Sequence, residues 1–241
     1  MKISAGSDTG RLRSSNQDSY KIGELEGGAW AVVCDGMGGH SGGNVASSIA
    51  VERIERDLKS NLKENMAVSS VKNVLESAIA SASADIFDRA AEQQELLGMG
   101  TTVVAAVCIN GSCVIAHVGD SRCYLLSDGK LNLLTKDHSL VQELVDAGII
   151  TPETAQTHPN KNIITRALGT DNDVRVDFTD INLSSGDKLL LCSDGLTNMV
   201  SETEIVDCIS GEDVFNYSAK LIALANEHGG TDNITAVILA S

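Results

Sequence analysis

Apolar residues recur along this chain with two periods. Short apolar or alternating runs at 29–33, 107–109, 113–115, 124–126, 131–133, 188–192 and 234–239 have strand length, and a further strand is predicted over 174–183. Gly27-Gly28, Asn110-Gly111 and Asp128-Gly129 stand beside these runs as tight-turn signals. Asn-Gly and Asp-Gly accept the positive φ of type I′ turns, so 101–135 reads as one antiparallel meander. Between the early and middle strands, Ala46, Ala50, Ile54, Leu58 and Leu62 form one helical stripe, and Val71, Leu75, Ile79, Ala82, Ile86 and Ala90 form another. A third stripe, Val214, Ser218, Leu221, Ile222 and Ala225, ends at Gly229-Gly230. Strands and helices come in blocks, which predicts an α+β fold rather than an alternating parallel sheet. Both prolines, Pro152 and Pro159, fall in 148–162, a stretch rich in turn formers with short helical possibilities that reads as part of a surface flap over about 148–170.

Composition narrows the partners. The chain has 241 residues, 42% hydrophobic and 21% charged, enough for one core and a single domain over 1–241. Lys and Arg total 18 against 33 Asp and Glu, a formal charge of -15 that repels phosphate backbones and anionic lipid, so neither nucleic acid nor membrane is expected as a partner. Residues 1–8 lack the apolar core of a signal peptide, and the strongly apolar run 103–109 is too short to span a bilayer. The expectation is a cytoplasmic monomer. Cysteines stand at 34, 108, 113, 123, 192 and 208 with no zinc-type spacing, and read mostly as small core residues. A cysteine-based phosphatase needs Cys-x5-Arg; the residues six places on are His40, Val114, Gly119, Gly129, Asn198 and Val214, which excludes that class.

The candidate chemistry lies in aspartates at strand ends. Asp35, Asp120 and Asp194 each follow an apolar strand beside glycine, Asp232 precedes the last strand, and Asp18 stands near the N-terminus. Asp-Gly is also a common turn pair, and Asp128-Gly129 is such a turn with no further role. Buried carboxylates need positive compensation, yet no Lys or Arg lies close in sequence to Asp35, Asp194 or Asp232. If these three converge, an oxygen-seeking cation such as Mg²⁺ or Mn²⁺ must supply the charge.

With these residues the chain resembles the metal-dependent type 2C Ser/Thr protein phosphatases, in particular their bacterial single-domain branch. The resemblance runs over 7–239 and rests on seven motifs in order: Gly10-Arg11-Leu12-Arg13-Ser14-Ser15-Asn16-Gln17-Asp18, Asp35-Gly36-Met37-Gly38-Gly39-His40, Gly98-Met99-Gly100-Thr101-Thr102, Ala116-His117-Val118-Gly119-Asp120-Ser121-Arg122, Thr135-Lys136-Asp137-His138-Ser139, Ser193-Asp194-Gly195-Leu196 and Gly229-Gly230-Thr231-Asp232-Asn233-Ile234-Thr235. It implies a four-layer α-β-β-α sandwich, two antiparallel sheets flanked by helices. It implies Asp35 as the carboxylate bridging two metals, the Gly36 carbonyl on the second, and Asp194 and Asp232 as further ligands of the first. Asp18 would hold waters of the second metal, and Asp120 with Asp194 a third ion. Arg13 matches the arginine that grips the substrate phosphate, with Arg11 as its competitor.

Two cations sharing Asp35 would acidify a bridging water, and the resulting hydroxide would attack phosphorus in line, with no protein nucleophile. Arg13 can give two parallel hydrogen bonds to phosphoryl oxygens. The animal-type pattern has histidine directly after Asp-Gly, where this chain has Met37, which leaves His40 and a water on the third metal as candidate proton donors. His117 and His138 read as buried or chain-ordering residues, His158 and His228 as surface ones, Asn233 as the neighbour of the last ligand, and Thr101 and Thr102 as packing. The glycines at 36–43 match no nucleotide-binding motif and read as freedom for strand end and helix start to crowd together. The implied partners are phosphorylated proteins, among them a cognate Ser/Thr kinase and its substrates, selected through the flap. The alternatives are a catalytically silent binding module on the same fold and a phosphatase of small phosphoesters.

Overall fold

A computed structural model describes residues 1–39, 42–171 and 173–241. In chain order its strands begin with β1 (Lys2–Asp8), β2 (Asp18–Leu25) and β3 (Gly28–Met37), followed by two long helices, α1 (Gly42–Asn61) and α2 (Val68–Glu92). Next come β4 (Gly100–Thr101), β5 (Val103–Ile109), β6 (Ser112–Val118), β7 (Arg122–Ser127) and β8 (Lys130–Leu133). Short helices α3 (Leu140–Asp146) and α4 (Pro152–Gln156) precede β9 (Asp177–Asn182) and β10 (Lys188–Cys192). The chain closes with α5 (Asp194–Thr197), α6 (Glu202–Ile209), α7 (Tyr217–Glu227) and β11 (Ile234–Ala240).

The strands form two antiparallel sheets, one ordered β1-β11-β10-β7-β8 and the other β2-β3-β5-β6-β9, with β4 paired to the end of β3. Period-two alternation divides the apolar runs between two cores. In the second sheet Trp30, Val32, Cys34, Val103, Ala105 and Val107 face α1 and α2. Their neighbours Ala29, Ala31, Val33, Val104 and Ala106 face the other sheet, meeting Leu189, Leu191, Val237 and Leu239. From the first sheet, Leu190, Cys192, Ile234, Ala236 and Ile238 pack under α6 and α7. The layers are therefore helix, sheet, sheet, helix, the α+β sandwich expected. No helix among the described residues is long and apolar enough to cross a membrane.

The three helical stripes are buried as expected, at Ile54 and Leu58 in α1, Leu75, Ile79 and Ile86 in α2, and Leu221 and Ala225 in α7. Asn110 and Asp128 take φ +50 and are followed by Gly111 at +83 and Gly129 at +73, as type I′ hairpins require. The single meander over 101–135 is corrected. β5–β6 and β7–β8 are hairpins of different sheets, because Gly119 at φ +104 turns the chain out of one sheet and into the other. Asp120 stands at that crossing. Cys108 and Cys113 oppose each other across the β5–β6 hairpin, sulfur against sulfur with Cα atoms 4.1 Å apart, whereas Cys34, Cys123 and Cys192 are free and buried. The flap-side excursion leaves at Ser139 and returns at Ile164, which pair as an isolated antiparallel bridge, so it already includes α3 ahead of residue 148. Neither α3 nor α4 buries a residue.

The one tryptophan reports on the helix-facing core. Trp30 pairs with Gly23 across β2–β3 and is 1% exposed, and a Cβ built on Gly23 would lie 2.3 Å from its ring. Gly23→Ala should therefore displace the indole, costing about 1–3 kcal/mol by overpacking. Urea unfolding followed by Trp30 fluorescence checks this: a lowered midpoint with red-shifted native emission is expected, and wild-type behaviour in both would refute the packing described.

Candidate metal and phosphate site

Antiparallel pairing sets the end of one strand beside the start of the next, and the sandwich brings two such pairs together at one edge. In the second sheet Asp18 opens β2 directly opposite Asp35 near the end of β3. In the first sheet β10 ends at Cys192, just before Asp194, and β11 starts just after Asp232. The two sheets are stitched by Asp18, whose Oδ2 accepts hydrogen bonds from Ser193 Oγ and Thr235 Oγ1, each at 2.7 Å. Its Oδ1 is buried without a partner.

The backbone around Asp35 is clamped. Its N–H donates to Thr102 Oγ1 at 2.9 Å, and its carbonyl accepts from Thr101 Oγ1 at 2.8 Å and from the Thr102 N–H at 2.9 Å. Thr102 Oγ1 also meets Ser121 Oγ at 2.7 Å, next to Asp120. The threonines read from sequence as packing thus hold the site. At Gly36 any Cβ would sit 1.9 Å from the Gly43 carbonyl oxygen, so only glycine lets the β3 end and the α1 start crowd as expected.

Asn233 explains how a loop far away in sequence reaches the site. Its Oδ1 accepts from the Gln17 N–H, and its Nδ2 donates to the carbonyls of Thr9 and Ser15, pinning 9–17 onto the β11 start. That loop delivers Arg13, whose Nη2 lies 2.8 Å from Asp232 Oδ2. The competitor Arg11 turns away, its side chain reaching the Asn226 carbonyl. Arg13, Asp35, Gly36, Met37, Asp120, Asp194, Asp232 and Asn233 line one cleft of about 340 Å³, together with Thr102, Asn162 and Ile164. A second cleft of about 450 Å³ under α3 and α4 shares Asp120, Asn162 and Asp194 with it. His40 lies outside the described residues.

The carboxylates disturb one another. Burial, with repulsion from Asp18, Asp194, Asp120 and Asp232, holds Asp35 well above the usual carboxylate range. Burial, then the charges of Asp194 and Asp137, pushes Asp120 up to about 7. Asp18 is raised by burial to about 6 even though Ser193 and Thr235 donate to it. Asp194 is raised by burial and by Asp232, against a hydrogen bond from Asn198 Nδ2 at 3.0 Å. Arg122 is already committed to Asp137, with Nε–Oδ1 at 2.9 Å and Nη2–Oδ2 at 2.7 Å. An all-oxygen donor set, mutually raised carboxylates and the orphaned Asp18 Oδ1 fit a hard divalent cation.

His117, His138 and Asp177 form a separate cluster whose ligand atoms lie within 4.8 Å of one another. Two arginines face this cluster: Arg166, whose Nη1 lies 3.2 Å from both Asp177 Oδ1 and His138 Nε2, and Arg175, whose Nε lies 3.9 Å from Asp177 Oδ1. The imidazoles stack with centroids 4.8 Å apart. His228 packs on the Met199 carbonyl.

Sequence alone shows neither Asn233's loop anchor nor the hydroxyl donors to Asp18. Ser193, Asn233 and Thr235 stand inside the motifs, which is the signal available for them.

The family model for protein phosphatase 2C matches residues 6–236. A serine/threonine phosphatase, stp, of Listeria welshimeri is 42% identical over 234 residues, 96% of this chain and 92% of the relative. The solved serine/threonine phosphatase of S. agalactiae aligns with TM-score 0.92 at 37% identity, covering 100% of this chain and 99% of that one. The catalytic domain of the phosphatase PstP, solved in complex with two manganese ions, aligns with TM-score 0.83 at 35% identity over 98% of this chain and 96% of its own. Sequence, fold and the carboxylate edge agree, and the chain belongs to the protein phosphatase 2C family.

Proposed function

We propose that this chain removes phosphate from phosphoserine and phosphothreonine of proteins in the cytoplasm, acting as a single domain and a monomer on a Ser/Thr kinase and that kinase's substrates. As a member of its family it is a metal-dependent protein phosphatase. The observation that carries the finer reading is the convergence of Asp35, Asp120, Asp194 and Asp232 on one cleft that Arg13 also lines, with buried Asp18 paired opposite Asp35 across β2–β3. Asp35, the Gly36 carbonyl, Asp194 and Asp232 would hold two ions, Mn²⁺ or Mg²⁺, with Asp18 on their waters and Asp120 with Asp194 on a third.

When bound, these cations supply an acidified water as nucleophile and positive charge against the phosphoryl oxygens. The protein's own residues do the rest. Thr101 and Thr102 keep the Asp35 backbone from yielding to carboxylate repulsion, and Asn233 holds the loop that aims Arg13. Arg13, half-exposed at the cleft, can bind two phosphoryl oxygens at once. Met37 has no proton to give the departing oxygen.

The direct test is phosphate release from a phosphothreonine peptide by metal-stripped protein, with and without Mn²⁺. Release should require Mn²⁺ and vanish in Asp35→Ala with the fold intact; full activity in that variant would overturn the assignment. Arg13→Ala should raise KM by about 10- to 100-fold, the size of a lost charge-assisted hydrogen bond of about 1.5–3 kcal/mol, with a smaller change in kcat. An unchanged KM would move the phosphate grip elsewhere.

Stability should follow pH with a definite sign. Carboxylates whose folded pKa is raised bind more protons folded than unfolded, so metal-free stability falls as pH rises from about 4 toward the values of about 6 for Asp18 and about 7 for Asp120. Metal-stripped protein should therefore melt higher at pH 5.5 than at pH 7.5, and Mn²⁺ should raise the melting temperature more at pH 7.5. Equal metal-free melting at both pH values, with no Mn²⁺ shift, would mean that the carboxylates do not act as a cluster.

A further inference from the structure

We propose that His138 is a positioning residue that sets Asp120 in the metal cleft by gripping the Gly119 peptide. The inference rests on Asp120 being a metal-site carboxylate. Asp120 differs from the other acids of the cluster in standing in the crossing between the two sheets, and its neighbours on either side are tied down. On one side Ser121 Oγ meets Thr102 Oγ1, which holds the Asp35 N–H. On the other, His138 takes Gly119 at both polar atoms. The His138 N–H donates to the Gly119 carbonyl at 3.0 Å, and the Gly119 N–H donates to His138 Nδ1 at 3.1 Å.

The second bond fixes the tautomer, because an Nδ1 that accepts leaves the ring proton on Nε2. Nε2 in turn lies 3.2 Å from Asp177 Oδ2, which can accept its proton, and 3.2 Å from Arg166 Nη1, which only donates and so cannot bond a protonated Nε2; Asp177 rather than Arg166 is therefore the ring's partner in the form that holds Gly119. Asp177 is steadied by Arg166, and the ring is buried and stacked on His117. The His138 carbonyl accepts from the Thr165 N–H at 2.8 Å, joining the two stems of the flap excursion at this residue. Gly119 has little room to drift: a Cβ there would lie 2.6 Å from the Thr102 side chain, and its φ is +104. The arrangement orients a ligand through its backbone, as outer residues of metal sites commonly do.

The geometry separates two near-isosteric variants. Asn places an amide oxygen where Nδ1 is and keeps the Gly119 bond, whereas Gln places its amide where Nε2 is and loses it. His138→Gln should weaken the Asp120-dependent Mn²⁺ site, read by titration calorimetry without substrate, and lower kcat, each by about 10- to 100-fold. His138→Asn should recover most of both. In an Asp120→Ala background His138→Gln should add no further loss, since both act on one carboxylate. Thermal unfolding of each variant establishes that it is folded. Full activity and full Mn²⁺ stoichiometry in Asp120→Ala would overturn the Asp120 assignment itself, and this inference with it. A defective Asp120→Ala beside an unaffected His138→Gln, an Asn variant no better than Gln, or an undiminished Gln effect in the Asp120→Ala background would overturn the role of His138 alone.

Discussion

The structure turns on the seam where the edges of two sheets place carboxylates face to face. Taken alone these side chains repel, and burial raises their affinity for protons. The sandwich tolerates them because the seam is held from outside: the inter-sheet core of small and branched side chains fixes the spacing, and Asp18 joins the layers through Ser193 and Thr235. A fold that keeps acids together against their own repulsion is built to receive positive charge. The same requirement accounts for the two threonines behind Asp35 and the asparagine behind Arg13, neighbours that resist local relaxation of the cluster.

What the sequence disclosed follows from which interactions leave a local pattern. Strand runs, I′ turns and helical stripes are written in short periods, and the central strands, α1, α2 and α7 stand where the periods placed them. The meander failed because nothing local distinguishes a hairpin that continues a sheet from one that changes sheets; only the backbone at Gly119 shows the departure. The short helices α3 and α4 bury no residue, so they had no apolar stripe to show. In the site, the aspartates were legible from strand ends and motif order, yet their partners were not. Ser193 and Thr235 reach Asp18 across 175 and 217 positions, and Asn233 reaches Thr9 across 224, separations at which spacing carries no signal. Arg13, the arginine that the resemblance favours, lines the cleft, whereas Arg11, two positions before it, reaches the Asn226 carbonyl.

A net charge of -15 repels phosphorylated substrates at long range. The field that matters is local: several of the acids lie in this one cleft, where bound cations would reverse its sign, and Arg13 stands at the mouth. The adjoining cleft beneath α3 and α4 opens from the same residues, Asp120, Asn162 and Asp194. The acids stand at the sheet edge, and the adjoining cleft lies under the excursion that leaves at Ser139.

We propose this seam as a site for divalent cations. Crystals grown with excess Mn²⁺ and measured on the high-energy side of the manganese absorption edge would show it directly. Anomalous peaks among Asp35, Gly36, Asp194 and Asp232 are expected. Well-ordered crystals with no anomalous density in that cleft would contradict the account.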